Sequence, residues 1–287
     1  MIEVIKPGLY TSIQDNGRFG YENFGVPISG SMDQFSSRLS NKLLNNSEDD
    51  AVMEITMTGP TLKFHKKTKI SITGADISPK LNMKPINLNT AHFINKDDIL
   101  SFGKLKYGLR CYLSVSGGFL TKVVMNSRSM YTNITESFRI TKSEILKIGN
   151  TKNLNKDLSI TKFDYLDHFK SKEIKVCKGP EFDKLSKNQK HDIFNKYFNI
   201  SKDNNRMAFQ LCDIIRNQIK PIITSLVMQG TVQLTPFGKI IILMRDNQTC
   251  GGYPRILQLT EDSINKLSQK HMNLSLIHIS EPTRRRG

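Results

Sequence analysis

Short runs of β-branched and aromatic residues recur along the chain, and each run is bounded by Gly, Pro, Asn or Asp. Such runs favour strands, and the residues that bound them favour turns. The runs cover residues 2–5, 61–64, 69–73, 99–102, 110–115, 173–176, 231–234 and 239–244. This pattern predicts a mainly β fold with a few helices.

Two segments have helical spacing instead, residues 33–44 and roughly residues 182–197. In the first segment the apolar residues Phe35, Leu39, Leu43 and Leu44 have helical spacing, and Asp33 precedes them as a candidate N-cap. We therefore expect the first helix to lie on a sheet through its apolar face.

The stretch 149–172 is rich in Asn, Lys and Asp and contains few spaced apolar residues. This composition is typical of a linker or a long surface loop. It predicts an N-terminal β lobe over residues 1–155, a linker or long loop over 156–172, and a C-terminal β lobe over 173–273.

The last residues do not resemble a natural protein sequence. Residues 274–284 match the translation of a sequencing-library adaptor. We expect residues 274–287 to be an artefact that can be deleted without cost, and the C-terminal lobe to be truncated. A barrel in that lobe would then have an unpaired edge, which is prone to aggregation.

Bulk properties exclude several classes of protein. The formal net charge is +16, but the lysines are spread along the chain and rarely alternate with aromatic residues, so we predict no nucleic-acid partner. The apolar run 240–244 is far shorter than the ~20 residues of a membrane helix. The N-terminal sequence lacks a secretion signal, which predicts a cytoplasmic protein. The Cys and His spacings predict free thiols and no metal site.

The densest polar cluster covers residues 11–20, directly after the first predicted strand. Its Asn-Gly pair favours a turn, so Gln14, Asp15 and Arg18 could converge on one point. A carboxylate beside a guanidinium suits the binding or orientation of a polar substrate. The alternative is an ion pair between Asp15 and Arg18 that only locks the loop.

A second cluster, residues 25–33, is a loop of small residues that enters the first predicted helix. Backbone N–H groups of Ser29 and Gly30, close to the helix start at Asp33, could hold a carboxylate or a phosphate. The loop does not have the Walker pattern. The alternative is a helix start that is simply capped by Asp33.

A third cluster, residues 245–254, follows a strongly apolar strand. Asp246, Gln248 and Thr249 offer a carboxylate, an amide and a hydroxyl within four positions, and Gly252 permits close approach of the backbone. The alternative is an ordinary polar turn. Two arginines elsewhere, Arg128 and Arg206, could bind a carboxylate or serve as salt-bridge partners.

Ten short motifs occur in the order typical of one known family. They are GLYTSIQDNGRFG at 8–20, GVPISGSMD at 25–33, NKLL at 41–44, EITMTGP at 54–60, TGAD at 73–76, YLSVSGG at 112–118, SRS at 127–129, NRM at 205–207, GTVQ at 230–233 and DNQTCGGYP at 246–254. On these residues the chain resembles the biotin-dependent carboxyltransferase-like family, in the group related to allophanate hydrolase subunit 2 and to the C subunit of 5-oxoprolinase.

The resemblance implies a cyclophilin-like β-barrel architecture, arranged as two packed lobes, and an enzyme subunit that is inactive without partners. The implied partners are a subunit 1-type carboxyltransferase-like protein and a lactam-utilisation subunit. The implied reaction is ATP-dependent opening of 5-oxo-L-proline to L-glutamate, with ATP bound on this or another subunit. Alternatives are a biotin-dependent carboxyltransferase component acting on urea or an amide, and a regulatory protein that antagonises a kinase inhibitor.

Both reactions place charge on an amide-like oxygen, which preorganised donors would stabilise. On the matching motifs we predict catalytic roles for four residues: Asp15, Arg18, Asp246 and Gln248. We predict substrate binding for eight more: Gln14, Ser29, Gly30, Asp33, Arg128, Thr249, Gly252 and Tyr253. No biotinyl-lysine motif occurs in the chain, so in the carboxyltransferase alternative the biotin arrives on another protein.

Overall fold

A computed structural model describes residues 1–150, 165–271 and 276–281 of the 287-residue chain. The fold has two compact units, one formed by residues 1–19 and 29–165 and the other by residues 20–28 and 166–287. The second unit thus contains a short piece of the N-terminal sequence, which a linear division into lobes does not anticipate.

The first unit is built from eleven strands and one helix among its described residues. In chain order they are β1 (Ile2–Lys6), β2 (Tyr10–Gln14), α1 (Gln34–Lys42), β3 (Val52–Thr56), β4 (Thr61–Phe64), β5 (Thr68–Asp76), β6 (Lys80–Leu81), β7 (Lys84–Pro85), β8 (Ala91–Ile94), β9 (Ile99–Ser101), β10 (Tyr107–Val115) and β11 (Ile145–Leu146). They form two sheets, ordered β11-β1-β4-β9-β6-β7 and β2-β3-β10-β5-β8. Antiparallel pairing joins the neighbours within each sheet.

The core of the first unit is made by apolar side chains of both sheets. Ile2, Leu62 and Phe64 come from one sheet and Ile72 and Leu113 from the other, and all are fully buried. Burial of one such side chain contributes about 1.5–3 kcal/mol. The predicted strands 2–5, 61–64, 69–73 and 110–115 are confirmed as parts of β1, β4, β5 and β10, and the predicted strand 99–102 is confirmed as β9 except for its last residue.

Helix α1 begins as predicted but packs through an unexpected face. Asp33 is the N-cap and its side chain accepts a hydrogen bond from the Ser36 N–H. The buried face consists of small polar residues rather than of Phe35 and Leu39, which are half-buried. Ser40 illustrates the reason, because its Oγ lies 2.5 Å from Ser114 Oγ of β10 and small hydroxyls let the helix approach the sheet closely. The prediction of an apolar contact face was wrong for Phe35 and Leu39, whereas Leu43 and Leu44, at the C-terminal end of the predicted segment, are buried.

The second unit contains a closed barrel. Its elements are α2 (Tyr165–Lys170), β12 (Glu173–Lys178), α3 (Lys187–Asn195), β13 (Tyr197–Asn204), β14 (Ala208–Ile214), β15 (Ser225–Leu226), β16 (Thr231–Leu234), β17 (Lys239–Leu243), β18 (Cys250–Gly251), β19 (Arg255–Leu259), α4 (Glu261–Ser268) and β20 (Leu276–Ser280), with 3₁₀ turns at Glu22–Phe24 and Phe182–Lys184. The barrel order is β12-β19-β16-β17-β14-β13-β20. Strands β15 and β18 pair separately as a two-stranded ribbon. The mainly β fold with a barrel confirms the predicted fold class.

Alternation along the barrel strands separates an inner from an outer face. Val232 pairs with Ile242 and Leu234 with Ile240, and all four are fully buried. Gln233 lies between two of them in sequence and therefore points to the opposite face. The barrel interior is thus filled by aliphatic side chains.

The predicted unpaired barrel edge is not present in the described part of the second unit. Strand β20 pairs with β12 on one side and with β13 on the other. Ile277 and Ile279 are fully buried, while the half-buried His278 has its Nε2 2.8 Å from Phe194 O. The expectation of an open edge was wrong because residues 276–280 alternate as a barrel strand requires.

The predicted linker is in part helical, since α2 occupies residues 165–170. The remainder of the polar stretch, residues 151–164, lies outside the described residues. The predicted second helix, 182–197, is divided into a 3₁₀ turn and α3, and α3 begins at a capping box formed by Ser186 and Gln189. None of the helices in the described part of the chain is long and apolar enough to cross a membrane.

All four cysteines are free thiols, as predicted. Cys111 is buried in the first unit, where desolvation raises the pKa of its thiol well above the ordinary value. The other three, Cys177, Cys212 and Cys250, are exposed rather than buried.

Candidate functional site

In the first unit, the carboxylate of Asp15 organises the loop that follows β2. Its Oδ1 accepts hydrogen bonds from Gly17 N at 2.9 Å, Ser127 Oγ at 2.7 Å and Ser129 Oγ at 2.6 Å. Its Oδ2 accepts from Arg128 N at 2.5 Å. One carboxylate therefore connects the predicted cluster at 11–20 with the SRS motif more than 110 residues away.

The buried side chains of Arg18 and Gln14 connect the same two parts of the chain by further hydrogen bonds. The fully buried Arg18 donates from Nε to Val124 O at 3.2 Å and from a terminal nitrogen to Ser129 O at 2.8 Å. The fully buried Gln14 donates to Met130 O at 3.1 Å. Donation to backbone carbonyls supports a positioning role for both side chains.

We expect Asp15→Asn to lower the free energy of unfolding by about 2–4 kcal/mol, because the new amide group cannot accept from all four donors and leaves some of them unpaired. Thermal and urea unfolding of the full chain measure this. Asp97→Asn makes the same chemical change at an exposed position paired with Lys63 and should cost less than about 1 kcal/mol. Equal, small costs for both variants would show that Asp15 does not hold the loop.

The loop before α1 packs against this turn within the first unit. Ser31 N donates to Asp15 O at 2.9 Å, and a Cβ on Gly30 would meet the Asn16 carbonyl at 3.0 Å. Ser29 and Gly30 have φ angles of 60° and 92°. A side chain at position 30 would be excluded both by this contact and by the left-handed backbone.

A buried polar network lies where the loop enters α1. Asp33 N donates to Tyr112 Oη at 2.8 Å, and Tyr112 Oη donates to Glu54 Oε2 at 2.9 Å. Glu54 also accepts from Met32 N at 2.7 Å and lies 3.9 Å from the Arg110 Nε. Burial, together with the nearby Glu54 and Asp33 carboxylates, raises the pKa of Tyr112 well above its ordinary value, so the phenol stays protonated.

This network contains residues that the sequence motifs did not single out for a role. Glu54 and Arg110 each interrupt an otherwise apolar strand, β3 and β10, and both are almost fully buried. A charged residue inside a buried strand needs a partner of opposite charge. That interruption is the signal that could have identified the pair.

Arg128 lines a surface pocket of about 290 Å³ in the first unit. Lys122, Lys147, Glu136 and Glu144 contribute the other charges of its lining. The Arg128 guanidinium donates to Thr121 O. The pocket has mixed charge, and Arg128 reaches it from the segment that Asp15 holds.

A separate pocket of about 430 Å³ lies in the second unit and includes residues of two predicted motifs. It is lined by the apolar residues Pro27, Ile28, Leu226, Val227 and Met228 and by the polar residues Glu22, Gln229, Asn247, Thr249 and Glu261. A mainly apolar cavity with a few polar groups is typical of a small-molecule site. No pattern in the sequence indicates that residues near 27 and near 247 line one cavity.

Asp246 is held away from solvent by a two-point ion pair. Its carboxylate accepts from Arg206 Nε at 2.8 Å and from a terminal nitrogen of Arg206 at 3.1 Å. Both side chains are 9% exposed. The pair anchors the loop that presents Asn247 and Thr249 to the pocket, which supports a positioning role for Asp246.

The other predicted residues of this loop are more accessible. Gln248 is exposed, Thr249 is half-buried, and Tyr253 is 39% exposed. Gly252 accepts a hydrogen bond from Ile222 N at 2.9 Å and is half-buried. Thr249 lies in the pocket lining, whereas Asp246, Gln248, Gly252 and Tyr253 lie beside it in the same loop.

Arg245 and Glu261 fix the other wall of the pocket. Arg245, which is 2% exposed, donates to Gln229 Oε1 at 2.7 Å, to Asn265 Oδ1 at 3.1 Å and to Glu261. Glu261 is the first residue of α4. Arg245 thus binds the start of α4, while the adjacent Asp246 binds Arg206. The sequence motifs did not indicate that these two neighbours bind different parts of the unit.

Arg255 fastens the β15–β18 ribbon to the barrel. One of its terminal nitrogens donates to Ser225 Oγ at 2.7 Å and to Leu226 O at 3.0 Å, while its Nε and other terminal nitrogen donate to Glu181. Hydrogen bonding from Arg255 lowers the pKa of the Glu181 carboxyl. The ribbon therefore has a defined position on the outer face of the barrel.

Comparison with known proteins shows what the chain is similar to. The family model for the carboxyltransferase domain, subdomain A and B, matches residues 24–277. The chain is 27% identical to the C subunit of 5-oxoprolinase from Haemophilus influenzae over 283 residues, which are 96% of this chain and 90% of that protein. It is 42% identical to urea amidolyase of Lachancea kluyveri over 130 residues, which are 45% of this chain and 7% of that protein.

A solved structure has the same fold. The crystal structure of the Kluyveromyces lactis urea carboxylase superposes with a TM-score of 0.85 at 27% identity. The match covers 98% of this chain and 27% of that one.

Proposed function

The chain belongs to the family of the carboxyltransferase domain, subdomains A and B, and from this premise we propose that it is the C-type subunit of a 5-oxoprolinase complex. The proposed reaction is ATP-dependent hydrolysis of 5-oxo-L-proline to L-glutamate, in the cytoplasm. The observation that carries the proposal is that the two proteins match over nearly their whole lengths. The match to the C subunit of 5-oxoprolinase spans 96% of this chain and 90% of that protein. The sequence match to urea amidolyase spans 7% of that protein, and the structural match to urea carboxylase spans 27% of that chain.

The pocket of the second unit supports the reaction chemically. Lactam hydrolysis develops negative charge on the carbonyl oxygen as water attacks, and fixed donors at that oxygen lower the barrier by roughly 3 kcal/mol each. The Gln229 and Asn247 amides and the Thr249 hydroxyl are the neutral polar groups of the lining. We propose that this loop, with the exposed Gln248, contacts the substrate, and that Asp246 and Arg206 hold the loop in place.

The same pocket does not fit a triphosphate. Its charged lining residues are the carboxylates of Glu22 and Glu261, and the neighbouring Arg245 is already bound to Glu261. Like charges would repel a nucleotide tail. We therefore propose that ATP binds on a partner, either the subunit 1-type protein or the lactam-utilisation subunit, and that this chain acts only within the complex.

A second candidate function has its own support. The identity to urea amidolyase reaches 42% over 130 residues, which favours a carboxyltransferase component that passes a carboxyl group from carboxybiotin to urea or an amide. The biotin would be carried by another protein. The substrate is again an amide-like carbonyl compound, so the pocket alone does not separate the two reactions.

Reconstitution tests the proposed function. We expect glutamate release from 5-oxo-L-proline when the chain is combined with both partner subunits and ATP, and a loss of at least about 100-fold when ATP or this chain is left out. Amino-acid chromatography of the reaction measures the product. A complete complex that releases no glutamate contradicts the proposal, and carboxylation of urea by a biotin-carboxylase partner would favour the second function.

A further inference from the structure

The side-chain amide of Gln233 is buried and its nitrogen makes no hydrogen bond within the described fold. The residue is 1% exposed, and its Nε2 has no hydrogen-bond partner among the described residues. It lies on the outer face of β16, opposite the barrel interior. A buried donor without a partner costs stability, and an aliphatic residue would avoid that cost.

The amide nitrogen of Gln233 lies next to Gly251, which has no side chain. A Cβ built on Gly251 would lie 2.7 Å from Gln233 Nε2, 3.6 Å from Gln248 Nε2 and 3.5 Å from Val227 Cγ1. Gly251 has no left-handed φ that would require glycine. The atoms around this position are therefore the ends of three side chains rather than backbone.

Two amide nitrogens thus converge on the bare face of Gly251, one from the barrel wall and one from the exposed side chain of Gln248. Val227 supplies an apolar side to the same place and also lines the pocket of the second unit. The terminal torsion of a glutamine is broad, so Gln233 can turn its N–H outward without a change in β16.

We propose that Gln233 and Gln248 form a pair of amide donors that binds the carbonyl oxygen of an amide or ureide ligand over the face of Gly251. Neutral amide donors suit a carbonyl oxygen, whereas a carboxylate or phosphate would draw on cationic donors. The inference rests on the proposed function only for the choice of the two probes, 5-oxo-L-proline and urea.

The test is NMR of the full chain labelled with ¹⁵N-glutamine. Each probe is titrated separately, and the side-chain amide signals of Gln233 and Gln248 are assigned from the Gln233→Met and Gln248→Met variants. We expect one probe at least to shift both signals with a common Kd. Gln233→Met and Gln248→Met should each weaken that Kd about tenfold, the usual effect of one lost hydrogen bond.

Two further variants make the test specific. Gly251→Ala fills the proposed oxygen position and should weaken binding at least about tenfold. Gln210→Met is the matched control, because Gln210 lies in the same row of the sheet, separated from Gln233 by Ile241. Its Kd should equal that of the unmodified chain, and melting temperatures confirm that each variant is folded.

Three results would overturn the inference: no shift of the Gln233 signal with either probe, an unchanged Kd in Gly251→Ala, or equal losses in Gln233→Met and Gln210→Met. Gln248 is exposed, so its variant remains informative if a Gln233 variant fails to fold.

Glutamate release by the complex is measured independently. Binding without turnover would contradict the proposed function and leave this inference standing, and turnover without these shifts would do the reverse.

Discussion

Deletion of residues 274–287 should lower the free energy of unfolding by about 3–6 kcal/mol. The deletion removes β20, which contributes the fully buried side chains of Ile277 and Ile279, and each such side chain is worth about 1.5–3 kcal/mol. It also leaves β12 and β13 without the strand that joins them. Urea unfolding followed by circular dichroism measures the change.

A shorter deletion of residues 282–287 is the control for this experiment, because it removes the three arginines and keeps β20. We expect its unfolding midpoint to match that of the full chain. If both deletions left stability unchanged, β20 would contribute nothing, and the sequence-based expectation of a dispensable tail would be right.

Replacement of Arg206 by methionine should cost about 3–5 kcal/mol, the second large effect. The change leaves the Asp246 carboxylate buried without its two-point partner, and an uncompensated buried charge is strongly destabilising. The loop that carries Gln248 and Thr249 should loosen as well. Urea unfolding gives the stability, and proteolysis at the loop reports its local opening.

A double variant tests the cause of this loss. Arg206→Met combined with Asp246→Leu removes both charges, so most of the lost stability should return. Lys196→Met breaks an exposed ion pair with Asp192 and should cost less than about 1 kcal/mol. If the double variant were no more stable than Arg206→Met, the burial of an unpaired charge would not be the cause.

Local features of the fold could be predicted from the sequence because they depend on neighbouring residues. The strands follow from β-branched runs, and the start of α1 follows from the capping chemistry of Asp33. The contact face of α1 could not be predicted in this way. It depends on how closely the helix approaches β10, and hydroxyls such as that of Ser40 suit that short distance in a way that hydrophobicity does not reveal.

The motifs that contribute residues to the candidate site are visible in the sequence, but their arrangement in space is not. The sequence predicts a catalytic role for Asp15, but its hydrogen-bond partners Ser127 and Ser129 are more than 110 residues away. Periodicity and spacing carry no information about such distant pairs. The unpaired amide of Gln233 could not be predicted either, because its proximity to Gly251 is apparent only in the structure.

Residues 20–28 are translated early, but the second unit to which they belong consists otherwise of residues after 165. Its pocket combines Pro27 and Ile28 with residues from 226 to 261. A ribosome that adds about 5–20 residues per second needs on the order of 10–40 s to make the roughly 200 residues between them. During that interval the early segment emerges without its neighbours, so chaperones that shield apolar segments should influence the yield of folded protein.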